Sequence, residues 1–150
     1  MHASVKSRLN VRTPLALLVG FLASVSYGAE MLRIAATTTM VADLAQSVAG
    51  DRAKVSGLMG PGVDPHLYKA TAPDINTLQS ADLIFYNGLH LEGRLADILV
   101  KLGRRDKPVY AVTESIPEGK LLEPDEFQGH YDPHVWFDPR LWAHCIETVV

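Results

Sequence analysis

The feature that most constrains the fold of this chain is a regular alternation of short apolar runs with segments of helical periodicity. Leu32–Ala36 has the pattern of a strand, and the next segment carries apolar residues at helical spacing: Val41, Leu44, Ala45 and Val48. Further strands are predicted at 54–59, 82–86 and 108–112. Strands that alternate with short helices form βαβ units. The sequence therefore predicts an α/β fold, a parallel four-stranded sheet flanked by helices, with right-handed crossovers.

Cap and stop signals set the bounds of the predicted helices. The segment 71–74, Thr-Ala-Pro-Asp, has the pattern of a capping box. Another helix is predicted from Leu91, with Gly103 as its stop. A long loop follows the fourth strand, and Asp138-Pro139 then gives a strong helix start with Asp as the cap. That last helix is predicted to continue to Val150.

The first residues have the pattern of a secretory signal peptide. Three basic residues precede an apolar run at 14–26, and small residues follow it. The run is short for a membrane span, which needs about 20 residues, although an uncleaved N-terminal anchor is the alternative. A lipid anchor would need a cysteine directly after the signal-peptide cleavage site. The sole cysteine, Cys145, lies far from that site, so no lipid anchor is expected. We predict that residues 1–28 are removed and that the protein is exported to the periplasm without a stable membrane anchor.

Charge argues against one class of partner. The chain has 14 Lys and Arg against 17 Asp and Glu, and the leader contributes three basic and no acidic residues, so the remainder has 11 basic and 17 acidic residues. An acidic domain without a basic stripe is not expected to bind nucleic acid. The lone Cys145 cannot form an internal disulfide, and we predict that it is a small buried apolar residue on a helix.

Two histidines occupy the positions where a parallel sheet binds ligands, which are the loops after the carboxyl ends of its strands. His66 follows Asp64-Pro65 after the second strand, and His134 follows Asp132-Pro133 after the fourth. Proline stiffens each segment, and neutral imidazole is a common ligand of transition metals. We predict His66 and His134 as metal ligands, with Asp64 and Asp132 placed to orient the rings. The alternative is that the Asp-Pro pairs only make turns.

Other polar and aromatic residues near these loops are predicted to have supporting roles. Tyr68 is either a loop anchor or a hydrogen-bond partner near the site, and His90 is a candidate for contact with the ligands or for a structural role. His130 is predicted to be a solvated loop residue. Trp136 and Phe137 are predicted to pack the last helix onto the sheet.

Two other functions use similar residues. A metallohydrolase needs an open coordination position and a general base, but the sequence has no His-Glu-x-x-His, no Gly-x-Ser-x-Gly and no glycine-rich phosphate loop. A periplasmic domain that binds an organic solute would contain no metal. We expect a binding protein rather than an enzyme, and a metal-content measurement on the purified protein separates this hypothesis from the two alternatives.

Three segments in this order resemble the zinc/manganese (TroA-like) solute-binding proteins of ABC transporters. They are Gly-Val-Asp-Pro-His-Leu-Tyr at 62–68, Ala-Asp-Leu-Ile-Phe-Tyr-Asn-Gly-Leu-His-Leu-Glu at 81–92, and Asp-Pro-His-Val-Trp-Phe-Asp-Pro at 132–139. The resemblance covers residues 32–150. It implies one lobe of a two-lobe protein, with residues 29–137 as the N-terminal metal-binding lobe. Residues 138–150 would be the start of the helix that links the lobes, and the C-terminal lobe would be absent from the chain.

The resemblance also implies a function. By motif, His66 and His134 correspond to the first two ligands of the family, whose second lobe supplies the others. The cargo would be Mn²⁺, Zn²⁺ or Fe²⁺, the partner an ABC transporter permease, and the protein a monomer. The loop at 114–129 lacks a histidine run, which resembles the manganese or broader-specificity members. This 150-residue form is expected to bind metal weakly by itself.

Overall fold

The computed structural model describes residues 30–150, so the predicted signal peptide lies outside the described residues. Four strands and five helices account for most of the regular structure: β1 Leu32–Ala36, α1 Thr39–Ala49, β2 Ala53–Gly57, α2 Ala72–Ser80, β3 Leu83–Tyr86, α3 Leu95–Gly103, β4 Val109–Ala111, α4 Pro139–His144 and α5 Ile146–Val149. Within 30–150, none of the helices has the length and apolar character that crossing a membrane requires.

The strands form one parallel sheet in the order β2-β1-β3-β4, which confirms the predicted α/β class. Ile34 of β1 lies opposite Val55 of β2 on one side and Leu83 of β3 on the other. The strand order reverses direction between β1 and β3. In open parallel sheets such a reversal opens a crevice at the carboxyl ends of the strands, where ligands bind.

Apolar residues pack on both faces of the sheet because successive strand side chains point in opposite directions. Ile34 and Phe85 pack with α1 and with Cys145 near the C-terminus. Ala35 and Ile84 face the opposite layer, which contains three fully buried leucines of α2 and α3: Leu78, Leu95 and Leu99. Burial of each leucine stabilises the fold by about 1.5–3 kcal/mol. The loops that leave the carboxyl edge are therefore built on a packed three-layer base.

Two helix predictions need correction. The helix predicted from Leu91 begins at Leu95, because Gly93 has a φ angle of 46°, which a right-handed helix does not allow. The last helix starts as predicted, with Asp138 accepting from the Arg140 N–H. It does not continue to Val150, however. At Cys145 the α-helical hydrogen-bond pattern is interrupted by a tighter turn, in which the Cys145 N–H bonds to Trp142 O three residues back.

Cys145 is buried as predicted, although it lies between α4 and α5 rather than within a helix. It is fully buried in the core under α1. Burial raises the pKa of its thiol to about 12. The thiol is therefore an inert apolar packing group.

Candidate metal centre

The two Asp-Pro-His turns have the same local geometry. In each, the Asp side chain accepts a hydrogen bond from the backbone N–H two residues later: His66 N to Asp64 Oδ1 at 2.9 Å, and His134 N to Asp132 Oδ1 at 2.9 Å. Proline between the two residues fixes its own φ and cannot donate. The Asp side chain thus closes a tight turn and fixes the backbone from which the histidine projects.

The turns bring the two imidazoles together from loops 68 residues apart. Nε2 of His66 lies 3.3 Å from Nε2 of His134, and the ring centroids are 5.4 Å apart. With zinc–nitrogen bonds of about 2.1 Å, two nitrogens at this separation subtend about 105° at one ion, near the tetrahedral angle. The pair has the geometry of two adjacent ligands of a single metal ion.

Asp132 holds the ring of His134 as well as its backbone. Asp132 Oδ1 lies 2.6 Å from Nδ1 of His134, whose side chain is 33% exposed. Burial opposes ionisation of Asp132, but the hydrogen bonds from the backbone and side chain of His134 together outweigh it and lower the pKa of the carboxyl. An ionised carboxylate only accepts, so Nδ1 carries the proton, and in the neutral ring Nε2 keeps its lone pair. This is the tautomer that binds a metal through Nε2.

The ring of His66 is less constrained. His66 is exposed, and within residues 30–150 no carboxylate or carbonyl accepts a hydrogen bond from its Nδ1. Its backbone, by contrast, is tightly packed, because a Cβ on Gly93 would lie 2.6 Å from His66 O. The position of His66 is thus set by its main chain and its ring orientation is set by its partner.

Tyr68 anchors its loop away from the imidazoles. Its hydroxyl donates to Asp74 Oδ2 at 2.7 Å, at the capped start of α2. Burial, followed by the nearby Asp74 carboxylate, raises the pKa of Tyr68 to about 12. Of the two roles that the sequence left open for Tyr68, the structure therefore shows the loop anchor rather than a hydrogen-bond partner near the site.

The structure pairs His90 with His130. Their ring centroids are 4.7 Å apart, and both residues are exposed beside a cavity of about 500 Å³. Among the described contacts, neither ring bonds to His66 or His134. Within the part of the chain that the structure describes, His90 therefore contacts neither candidate ligand.

One of the two aromatic residues that follow His134 differs from the sequence expectation. The ring of Trp136 lies edge-on to His134, with centroids 5.3 Å apart. Phe137 is 79% exposed, so the prediction that it packs the last helix onto the sheet is wrong. Phe137, Leu122 and Val135 instead line a cavity of about 280 Å³ beside His134.

A buried polar cluster lies at the same edge of the sheet and was not predicted. Its members follow β1, β3 and β4: Thr37, Asn87, Glu92 and Thr113, all at most 4% exposed. Glu92 accepts from Thr37 Oγ1 at 2.7 Å, from Asn87 N at 2.6 Å and from Gly88 N at 3.2 Å. Burial raises the pKa of Glu92 against the effect of these donors. The sequence signal was position, because Asn87 and Glu92 lie in the short segment that follows the third strand at the carboxyl edge of the sheet.

Residues 30–150 do not contain a complete ligand set. No three His, Cys, Asp or Glu side chains in this part of the chain converge as a metal site would require. The His66–His134 pair thus offers two ligands of a tetrahedral shell.

Comparison with known proteins supports a specific family. The sequence model described as zinc-uptake complex component A, periplasmic (ZnuA), matches residues 34–150. The chain is 47% identical over 120 residues to the manganese-binding lipoprotein MntA of Bacillus subtilis. This alignment covers 80% of this chain and 39% of MntA. It is 47% identical over 116 residues to the zinc-binding protein TroA of Treponema pallidum. This alignment covers 77% of this chain and 37% of TroA.

The structural comparison agrees. The periplasmic zinc-binding protein TroA from Treponema pallidum superimposes with a TM-score of 0.74 and 45% sequence identity. The match covers 80% of this chain and 42% of that structure. The chain therefore spans about two fifths of the length of the relatives that it matches.

Proposed function

We propose, because this chain belongs to the ZnuA family of periplasmic zinc-uptake components, that it captures a divalent transition-metal ion and delivers it to an ABC-type importer. His66 and His134 are the proposed ligands. The observation that carries the proposal is the 3.3 Å separation of their Nε2 atoms, at the carboxyl edge of a parallel sheet.

Binding rather than catalysis is the proposed activity. The family is one of uptake components, and within residues 30–150 no third ligand converges with the two imidazoles. Water, or a second lobe of the kind that the resemblance implies, would complete the shell. Two neutral ligands without a carboxylate give weak binding, so the lobe is expected to hold its ion loosely by itself.

The cargo is proposed to be Mn²⁺, Zn²⁺ or Fe²⁺. One relative is described as manganese-binding and another as zinc-binding, although both are 47% identical to this chain. Neutral imidazole accepts all three ions, and the usual divalent order favours Zn²⁺ over Mn²⁺ at such a site. We therefore propose that Zn²⁺ is the ion that the chain binds most tightly in vitro.

Export completes the proposal. The leader pattern at 1–28 supports export to the periplasm. The proposed partner is a transporter permease, on which the protein is proposed to dock as a monomer. Residues 29–137 are proposed as the metal-binding lobe, and residues 138–150 as the start of the linking helix.

The direct test is a zinc titration of the purified chain and of three variants. His66→Ala and His134→Ala should each remove most of the measurable binding, because each removes one of two ligands. His130→Ala, an exposed histidine four residues before His134, should bind as the wild type does. A large loss in His130→Ala, or full binding in both ligand variants, would show that other residues hold the ion.

Acidity gives an independent check. A protonated imidazole has no lone pair for a metal, so zinc affinity should fall as the pH is lowered from about 7.5 to about 5. The measurement is the same titration in matched buffers. An affinity that does not change across this range would exclude histidine ligation.

A further inference from the structure

The buried polar cluster is connected to both histidine turns through one short segment, Asn87–Gly93. This segment leaves the carboxyl end of β3, next to the point where the strand order of the sheet reverses. Glu92 holds it from within, because its carboxylate accepts from two backbone N–H groups of the segment, those of Asn87 and Gly88. The third donor, Thr37 Oγ1, ties the segment to the end of β1.

One end of the segment contacts the His134 turn. Asn87 is fully buried, and its Nδ2 donates to Pro133 O at 3.1 Å, across 46 residues of sequence. Pro133 directly precedes His134, so this bond fixes the main chain from which His134 projects. Thr113 Oγ1 in turn donates to Asn87 O at 2.7 Å and fastens Asn87 to the end of β4.

The other end contacts the His66 turn. Gly93 has a φ of 46°, and a Cβ at this position would lie 2.6 Å from His66 O and 3.4 Å from His66 C. Backbone atoms cannot move as a flexible side-chain tip can. Any side chain at residue 93 would thus push the His66 turn outwards.

The energetics of Asn87 point beyond stability alone. Its Oδ1 has no hydrogen-bond partner within residues 30–150, although the atom is buried. A buried acceptor without a partner is unfavourable, and an apolar residue at this place would avoid that cost. The amide is explained by its bond to Pro133.

We propose that the Asn87–Gly93 segment is a template that sets the separation of the two imidazoles, with Asn87 and Gly93 as positioning residues. The proposal rests on the function proposed above. At one end of the template, Asn87 bonds to the main chain directly before His134. At the other end, Gly93 sets how closely the main chain of His66 can approach the segment. Neither residue touches the ion, and both act through the histidines. A change at either end alters the distance between the ligands without removing a ligand.

The glycine end offers a matched pair of variants. Gly93→Ala adds a methyl group against His66 O, and Gly50→Ala adds one at another positive-φ glycine that has no atom within 4 Å. Both variants carry backbone strain, but only Gly93→Ala displaces a ligand. Gly93→Ala should lower Zn²⁺ affinity about tenfold or more, the range seen for residues that orient ligands, and Gly50→Ala should leave it within about twofold.

The asparagine end needs a control for stability. Asn87→Ala removes the bond to Pro133, and Leu78→Ala leaves a cavity in the core layer on the opposite face from α1. Both should lower the thermal midpoint. Only Asn87→Ala should weaken Zn²⁺ binding and change the visible absorption spectrum of bound Co²⁺, which reports ligand geometry.

The outcomes separate this proposal from the proposed function. Zinc binding by the wild-type chain that depends on His66 and His134 establishes the site. If Gly93→Ala then binds as tightly as Gly50→Ala, the template is refuted and the site stands. If Asn87→Ala does not fold, the glycine pair decides alone. If the wild-type chain binds no zinc, both proposals fail together.

Discussion

The two Asp-Pro-His turns share a sequence and a backbone hydrogen bond but constrain their histidines differently. In the turn at 132–134 the carboxylate also reaches the ring, 2.6 Å from Nδ1. In the turn at 64–66 the carboxylate stops at the backbone N–H, and within residues 30–150 the exposed ring meets only His134 at hydrogen-bond distance. The same three residues therefore produce one preset ligand and one adaptable ligand.

A third copy of the turn shows what the motif does without a histidine. Asp138-Pro139-Arg140 has the same bond, Arg140 N to Asp138 Oδ1 at 2.9 Å, and there it caps α4. Asp-Pro is thus a general device for turning the chain. The metal chemistry comes from the residue after the proline and from what its side chain meets.

The largest difference between the turns should appear on removing charge from each carboxylate. Asp132→Asn keeps an oxygen for the backbone bond but weakens the partner of His134 Nδ1–H, so zinc affinity should fall about 10–100-fold. Asp64→Asn keeps the only bond that Asp64 makes to His66, so affinity should change by less than about twofold. Parallel zinc titrations measure both. Equal losses in the two variants would mean that the turns are equivalent.

A second prediction concerns the cluster that supports both turns. Glu92→Gln places an amide NH₂ against an N–H donor, because the carboxylate accepts on both oxygens. The free energy of unfolding should fall by about 1–3 kcal/mol, the cost of a buried polar group without a partner. Urea denaturation measures it, with Glu114→Gln as a control at a residue outside this cluster. A stability loss in Glu114→Gln as large as that in Glu92→Gln would contradict the role of the cluster.

The third turn gives a smaller effect and tests its independence from the site. Asp138→Ala removes the cap of α4, so the thermal midpoint should fall by a few degrees. Zinc affinity should stay the same, because Arg140 is no ligand. Calorimetry and titration of the same sample check both. Weaker binding in this variant would mean that α4 helps to position His134.

The smallest effect is expected in acid. The Arg33 guanidinium lowers the pKa of Asp82 to about 2, and the Asp82 carboxylate accepts from the Arg33 side chain at 2.7 Å. A lowered folded-state pKa means that this stabilisation is present above the unfolded pKa of about 3.9 and is lost as the pH falls towards 2. Asp82→Asn should therefore flatten the loss of stability between about pH 4 and 2. Asp64→Asn is the comparison, and a similar flattening there would contradict the assignment.

Local sequence patterns predicted much of the fold for physical reasons. β1 has the predicted bounds, and three threonines follow its last residue, Ala36. Both Asp-Pro-His turns lie at the predicted edge, because parallel strands place their carboxyl ends together. β2 ends at Gly57 rather than at 59, although Leu58 N and Met59 N still bond to Ala36 O and Thr37 O.

Contacts between distant residues could not be predicted in this way. The bond from Asn87 to Pro133 joins residues 46 apart, and that from Thr37 to Glu92 joins residues 55 apart. The break at Cys145 and the exposure of Phe137 depend likewise on tertiary packing. Sequence therefore identified the candidate ligands but not the residues that hold them apart.

Nitrogen-15 NMR of the imidazole rings during a zinc titration examines the pair of histidines most directly. On binding, the Nε2 resonances of residues 66 and 134 should shift together, with the Nδ1 proton of 134 retained throughout. Rings that keep their metal-free spectra at saturating zinc, or a shift at only one of them, would contradict a shared ion between the two turns.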